Sequence, residues 1–306
     1  MKRTLVTGSG GLVGYAIKQL NPKNTIYITR KDVDLTDFSK TKKIFDEIKP
    51  DNVIHLAAEV AGIGGNLMHS GDFFRKNIMI NVNVLEAARL SGVEKLISFM
   101  STCVFPDPSK YPLNEKDIHN GPPHPSNFGY AYAKRMLEVQ SSAYRNEWGC
   151  NFIVAIPTNI YGENDFWNLE DGHVVPSLIH KVFLAKKNKV DLAVWGSGKP
   201  LREFVYSKDI AKLILWAIEH YDEDTPIIFS NGQEMSIKEL VEVIVEQTNF
   251  KGKVVFDKTK PDGQFRKPSD TTKLKKYLPD FKFTPHKKGI AKTVKWFVEN
   301  YPDMRL

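Results

Sequence analysis

The chain has 306 residues, 42% hydrophobic and 26% charged, the composition of an ordinary globular protein with room for one large domain or two closely joined ones. Its formal net charge is +7, but the lysines are scattered singly and there is no Arg-rich arm or zinc-finger spacing, so no nucleic-acid partner is expected. No window approaches the roughly 18 uncharged apolar residues of a membrane span, MKRTLVTGSG lacks the apolar core of a signal peptide, and two cysteines make no disulfide framework; the expectation is a cytoplasmic protein with no membrane partner.

Short apolar strands alternate with amphipathic helices through the first half. RTLVTG predicts a strand and GLVGYAIKQL the helix after it; TIYIT is a second strand, followed by a helix near DFSKTKKIFDEI. NVIHLAA, KLISFMS and NFIVAIP are the third to fifth strands, separated by the helices NVNVLEAARLSG and YAYAKRMLEVQSSAYRNEWG. Apolar strands separated by helices predict a parallel sheet buried on both faces, with right-handed crossovers.

The rhythm breaks after about Asn159. YGENDFWNLEDGHVVP predicts a loop leading into the helix PSLIHKVFLAKK, and DLAVWGSGKPLREFVY a strand, a turn and another strand. SKDIAKLILWAIEHY predicts a helix capped by its own serine, TPIIFSNG a strand, and SIKELVEVIVEQT a helix with Ser236 and Glu239 at capping-box spacing. KVVFD and GIAKTVKWFVENY give a last strand and a terminal helix.

The chemistry-bearing residues sit on this frame. TGSGGLVG, with Gly8, Gly11 and Gly14 around Ser9, Gly10, Leu12 and Val13, joins the first strand to the first helix. A Gly-rich segment alone indicates a flexible turn, but at this junction glycines let the backbone approach a pyrophosphate at a helix N-terminus. The second strand ends in TRKDVDL: Arg30 and Lys31 stand where an NAD site presents an acid, which favours the 2′-phosphate of NADP(H), and Asp34 is placed to hydrogen-bond the adenine. Tyr130 and Lys134, four apart on a helix, share a face, and a nearby cation lowers a phenol's pKa; Tyr132 points elsewhere. Ser101 lies at the exit of the fourth strand, on the ligand side of such a sheet. Cys103, two residues on in an extended chain, falls on the same side as Ser101, whereas Thr102 points away. Cys150 reads as a small buried hydrophobe. His173 and His180 are seven apart, but no metal-ligand spacing accompanies them, and no metal is expected.

Gly8-x-x-Gly11-x-x-Gly14, the strand-end Ser101 and Tyr130-x-x-x-Lys134, with HLAA at His55 to Ala58, resemble the extended short-chain dehydrogenase/reductase family across nearly the whole chain. STCVFP, HNGPPHPSNFGYAYAKR, IPTNIYG, DGHVVPSLIHK, VWGSGKPLREFVY and DGQFRK, in that order, resemble the branch that epimerises and reduces a GDP-linked 4-ketosugar. The resemblance implies an α/β fold: a Rossmann-type doubly wound parallel sheet in residues 1–163, with 204–232 returning to it, and a smaller C-terminal α/β substrate domain in 164–203 and 233–306. It implies NADP(H) held by the Gly-rich turn, by Leu56, Ala57 and Ala58, by Lys134, by Pro157, Thr158, Asn159 and Ile160, and beside His173. It implies GDP-4-keto-6-deoxymannose as substrate, with Lys181, Trp195, Arg202 and Asp262 holding the nucleotide sugar. Cys103 would be the base and His173 the acid for inversion at C3 and C5; Ser101 and Tyr130 would stabilise charge on O4. A homodimer formed through the helices around residues 81–92 and 130–149 is also implied.

Two alternatives compete. One is another nucleotide-sugar enzyme; a dehydratase would carry an acid beside the strand-end serine, where this chain has Thr102 and Cys103. The other is a non-catalytic NADP(H) sensor, which would be expected to lose Tyr130 or Lys134.

Overall fold

The structure, a computed structural model, describes residues 2–60, 65, 68–260, 262 and 264–306. Its centre is a six-stranded parallel sheet of β1 (Thr4–Thr7), β2 (Thr25–Tyr27), β3 (Asn52–His55), β4 (Lys95–Phe99), β5 (Phe152–Pro157) and β9 (Ile227–Phe229), in the order β2-β1-β3-β4-β5-β9. The chain leaves β1 in one direction to reach β2 and in the other to reach β3, so the carboxyl ends of β1 and β3 flank the crevice where ligands bind in open α/β sheets. β3, β4 and β5 are buried at every position, because helices cover both faces. On one face lie α1 (Leu12–Leu20) and α6 (Ser207–His220), sharing a core with Val6, Ile97 and Ile214. On the other lie α2 (Phe38–Ile48), α3 (Ser70–Leu90) and α4 (Phe128–Trp148), closed over Phe45, Leu85, Leu96 and Leu137.

A second region has its own core, built on Trp167, Ile179, Phe204, Ile244 and Phe297. It contains the three-stranded sheet β10-β8-β6, made of β6 (Asn159–Tyr161), β8 (Leu201–Tyr206) and β10 (Glu234–Ser236), and the parallel pair of β7 (Leu192–Trp195) with β11 (Val254–Asp257). Helices α5 (Val174–Asn188), α7 (Ile237–Thr248) and α9 (His286–Asn300) contribute to this core, and the short α8 (Thr272–Tyr277) packs beside α6. Trp296 Nε1 donates to the Tyr15 hydroxyl at 3.2 Å, tying α9 to α1 across the two regions.

Some expectations are corrected. The strand, turn and strand expected in DLAVWGSGKPLREFVY do form, as β7 and β8, but in different sheets: β7 pairs with β11 and β8 with β6 and β10. Ser207 is the first residue of α6, with Tyr206 at the cap; its hydroxyl is buried without a partner, facing Gly162, where a Cβ would clash. Ser236 does form the capping box, accepting from the Glu239 amide while Glu239 accepts from the Ser236 amide. The helix containing NVNVLEAARLSG starts earlier, at Ser70.

Candidate active site

The Gly-rich turn is shaped by close approach. Gly8 has φ +66°, and a Cβ there would lie 2.6 Å from the Ala57 backbone; one on Gly14 would lie 2.5 Å from Ser9. Ser9 is buried and anchors the turn through its amide and hydroxyl, both donating to the Ile28 carbonyl. Gly10 and Gly11 line the open side. Gly11 caps α1 without a side-chain bond and the first turn, containing Leu12 and Val13, has no acid, so its free amides suit an anion. Leu56 and Ala57 close the floor by donating to Thr7, and Ala58 follows on. At the crevice edge Arg30 is 86% exposed, with Glu59 at 3.5 Å as a loose partner, and Lys31 is exposed. Asp34 is partly engaged already: one oxygen accepts from the Thr36 amide and hydroxyl. These features fit a dinucleotide carrying a 2′-phosphate. Across the crevice, Pro157 ends β5; Thr158 keeps a buried hydroxyl with no partner, Asn159 donates to the Glu203 carbonyl at 2.8 Å, and Ile160 packs against the core.

The catalytic candidates converge beyond β4. The strand ends at Phe99 and Ser101 is extended, but Thr102–Val104 then winds into a single 3-10 turn. This corrects the expected alternation: the turn, not an extended chain, carries Cys103 back toward Ser101. Burial pushes the thiol's pKa up, while Ser101 and the cations Lys267 and Lys134 oppose that shift.

Tyr130 and Lys134 face each other on α4, with Lys134 Nζ 5.9 Å from the Tyr130 ring centroid. The expected lowering of the tyrosine is not found: burial, then the neighbouring thiol, raises its pKa well above the usual value. Lys134, 4% exposed, is pushed down to about 8, chiefly by burial. A protonated phenol is a donor, which suits delivering a proton more than removing one.

His173 enters from the other region, capping α5 at the end of the loop after β6. Its Nδ1 lies 3.5 Å from the Asp165 carboxylate, which is almost wholly buried. Burial pulls the imidazole down, but the Asp165 hydrogen bond and charge outweigh it, and the net shift is upward; Arg305 acts weakly against it. The same loop reaches the cofactor turn, Asn164 Nδ2 donating to the Gly10 carbonyl at 3.2 Å. His180 is structural: buried, its Nδ1 meets the Trp167 carbonyl at 2.7 Å.

Of the nucleotide-sugar candidates, Lys181 sits 4.7 Å over the Trp195 ring, and Trp195 is 57% exposed. Arg202 is largely buried and donates to its neighbour's carbonyl, from Nη1 to Leu201 O at 2.7 Å. Asp262 is held by Ser197, accepting from its amide at 2.6 Å and its hydroxyl at 2.7 Å, so it pins the turn after β7. Sequence reasoning gave no role to Lys267, Arg135, Asp165 or Lys260. Lys267 lines one cleft with Cys103, Asp107, His124 and Gln264, and Lys260 stands 5.5 Å from the Trp195 ring. Lys267 lies inside DGQFRK and Arg135 directly follows Lys134, but no spacing rule marks either.

Residues 4–232 match the sequence profile described as the NAD dependent epimerase/dehydratase family. The chain belongs to that family. It is 48% identical to a GDP-L-fucose synthase of Dictyostelium discoideum over 99% of this chain and 98% of that one, and 43% identical to a probable GDP-L-fucose synthase of Drosophila melanogaster over the full length of both. Among solved structures, it is similar to a GDP-L-fucose synthetase of Naegleria fowleri bound to NADP, with a TM-score of 0.95 and 40% identity over 100% of this chain and 96% of the other.

Proposed function

We propose that the protein is an NADPH-dependent GDP-L-fucose synthase, converting GDP-4-keto-6-deoxy-D-mannose to GDP-L-fucose by epimerisation at C3 and C5 and reduction at C4. One observation carries the reading: a thiol, a half-buried phenol and a buried lysine meet on the ligand side of the sheet, where a plain ketone reductase needs no thiol. The protons at C3 and C5 are acidic because each is α to the C4 ketone. Cys103 as thiolate removes one, and His173 returns a proton on the opposite face. The resulting enolate places negative charge on O4, where Ser101 and Tyr130 donate hydrogen bonds. NADPH, when bound, supplies the hydride that reduces C4. Tyr130 gives its proton to O4, and Lys134 holds the nicotinamide ribose and returns charge balance to the phenolate. Both reactions thus use one oxygen.

The region formed by 164–203 and 233–306 would hold the nucleotide sugar. Lys181 and Arg202 would neutralise the diphosphate, Trp195 would offer its exposed ring, and Asp262 would fix the turn around the base. Two copies would pair through α3 and α4, whose outer faces expose Phe74, Val82, Leu90, Val139 and Trp148. No helix among the described residues is long and apolar enough to cross a membrane.

The test is incubation with GDP-4-keto-6-deoxymannose and NADPH, with the product sugar identified by NMR. GDP-L-fucose is expected; a 4-reduced sugar with C3 and C5 unchanged would sink the epimerase half. Sedimentation checks the dimer.

A further inference from the structure

Cys103 rides on a turn with little internal support. The Val104 amide donates to the Ser101 carbonyl at 3.0 Å, but the Phe105 amide reaches the Thr102 carbonyl only at 3.5 Å. Val104 is fully buried, and its carbonyl is taken by Arg135 Nε at 2.6 Å. Any neutral N–H would satisfy that carbonyl. A guanidinium 3% exposed is a costly donor, because burying a charge requires compensation. Among the described residues no carboxylate stands within ion-pair distance of Arg135, and its Nη2 is buried with no partner. The acidic groups that feel its charge are Tyr132, whose ring lies 5.2 Å away, and Cys103.

We propose that Arg135 is a positioning residue for Cys103: it clamps the Val104 carbonyl to fix the turn that carries the thiol, and its unpaired buried charge favours the thiolate. The other groups around that sulfur are Ser101 on the same turn, Tyr130 and Lys134 on α4, and Lys267, Asp107 and His124 in the adjoining cleft. Lys134 is committed to the cofactor ribose, and Lys267 approaches from the segment after β11. Among the described residues Arg135 alone both grips the turn and brings charge to it.

The catalytic part of this inference rests on Cys103 being the epimerisation base, so the test has two arms. The first is the pH dependence of Cys103 alkylation by iodoacetamide, read peptide by peptide in wild type, Arg135→Gln and Arg135→Lys. In Arg135→Gln the midpoint should rise by about one unit, which cuts the thiolate near neutral pH about tenfold. Arg135→Lys should return the midpoint most of the way, since it restores the charge. The second arm is solvent deuterium entry at C3 and C5 of the ketosugar, with NADPH affinity measured alongside. Exchange should fall at least as far in Arg135→Gln, recover partly above pH 8, and leave NADPH affinity within about twofold. An unmoved alkylation midpoint in both variants would overturn the proposal, as would equal losses of exchange and NADPH affinity. If wild type itself shows no exchange while the midpoint still moves, the assigned function fails and the role of Arg135 stands.

Discussion

Cys103 and His173, the proposed base and acid, are held in opposite ways. The turn at Thr102–Val104 grows from a fully buried strand and is clamped from the core side by Arg135. His173 ends a long polar loop, half exposed, and depends on one buried carboxylate. The loop is nevertheless anchored at its middle. Trp167 is fully buried against Phe297, and its amide donates to the Arg305 carbonyl at 2.8 Å. Burial and charge therefore act differently on the two groups. At Cys103 burial wins and the thiol resists ionising; at His173 burial is outweighed by the Asp165 hydrogen bond and charge together, and the imidazole resists losing its proton. The thiol is thus held against ionisation by burial, with Lys267 and Lys134 opposing it, whereas the imidazole's hold on its proton is strengthened by Asp165.

Substitutions test this contrast from the base outward. Cys103→Ser should lower deuterium exchange at C3 and C5 by about a thousandfold or more, the scale of a lost general base, while NADPH binding persists. Exchange surviving unchanged would move the base elsewhere. Tyr130→Phe should reduce NADPH oxidation by about a hundredfold or more with cofactor affinity kept, if the phenol, whose raised pKa keeps it protonated, is the proton donor. On the acid side, Asp165→Asn removes the charge that raises His173, so the imidazole pKa should fall. The loss of turnover should reach about tenfold above neutral pH and shrink toward pH 6, where His173 regains its proton; a loss equal at all pH values would mean that Asp165 only holds the loop.

The smallest effect concerns Lys134. With its pKa pushed down to about 8, the ammonium is partly deprotonated in mildly alkaline solution. Binding an anionic cofactor favours the charged form, so NADPH binding between about pH 8 and 9 should take up protons. Calorimetry in buffers of different ionisation enthalpy measures that uptake. Lys134→Met should abolish it.

The parts of the molecule legible in the sequence are those with a local cause. Gly8 and Gly14 sit where the backbone allows no side chain, and Tyr130 and Lys134 sit one helical turn apart. The unread parts depend on contacts between distant segments. Asp165 matters because its loop folds back on His173, and Lys267 because the segment after β11 crosses to the Cys103 cleft. The direction of the Tyr130 shift was missed for the same reason: spacing shows a neighbouring cation but not the burial that outweighs it. Ser207 illustrates the limit at a helix start, where the cap position was taken by Tyr206.

The 3-10 turn also turns register into chemistry. With about three residues per turn, inserting or deleting one residue between Ser101 and Cys103 would swing the sulfur by about 120°. Ser101, two residues past the end of β4, would keep its place. A single-codon indel would therefore be expected to convert a two-reaction enzyme into a one-reaction enzyme without touching a catalytic side chain.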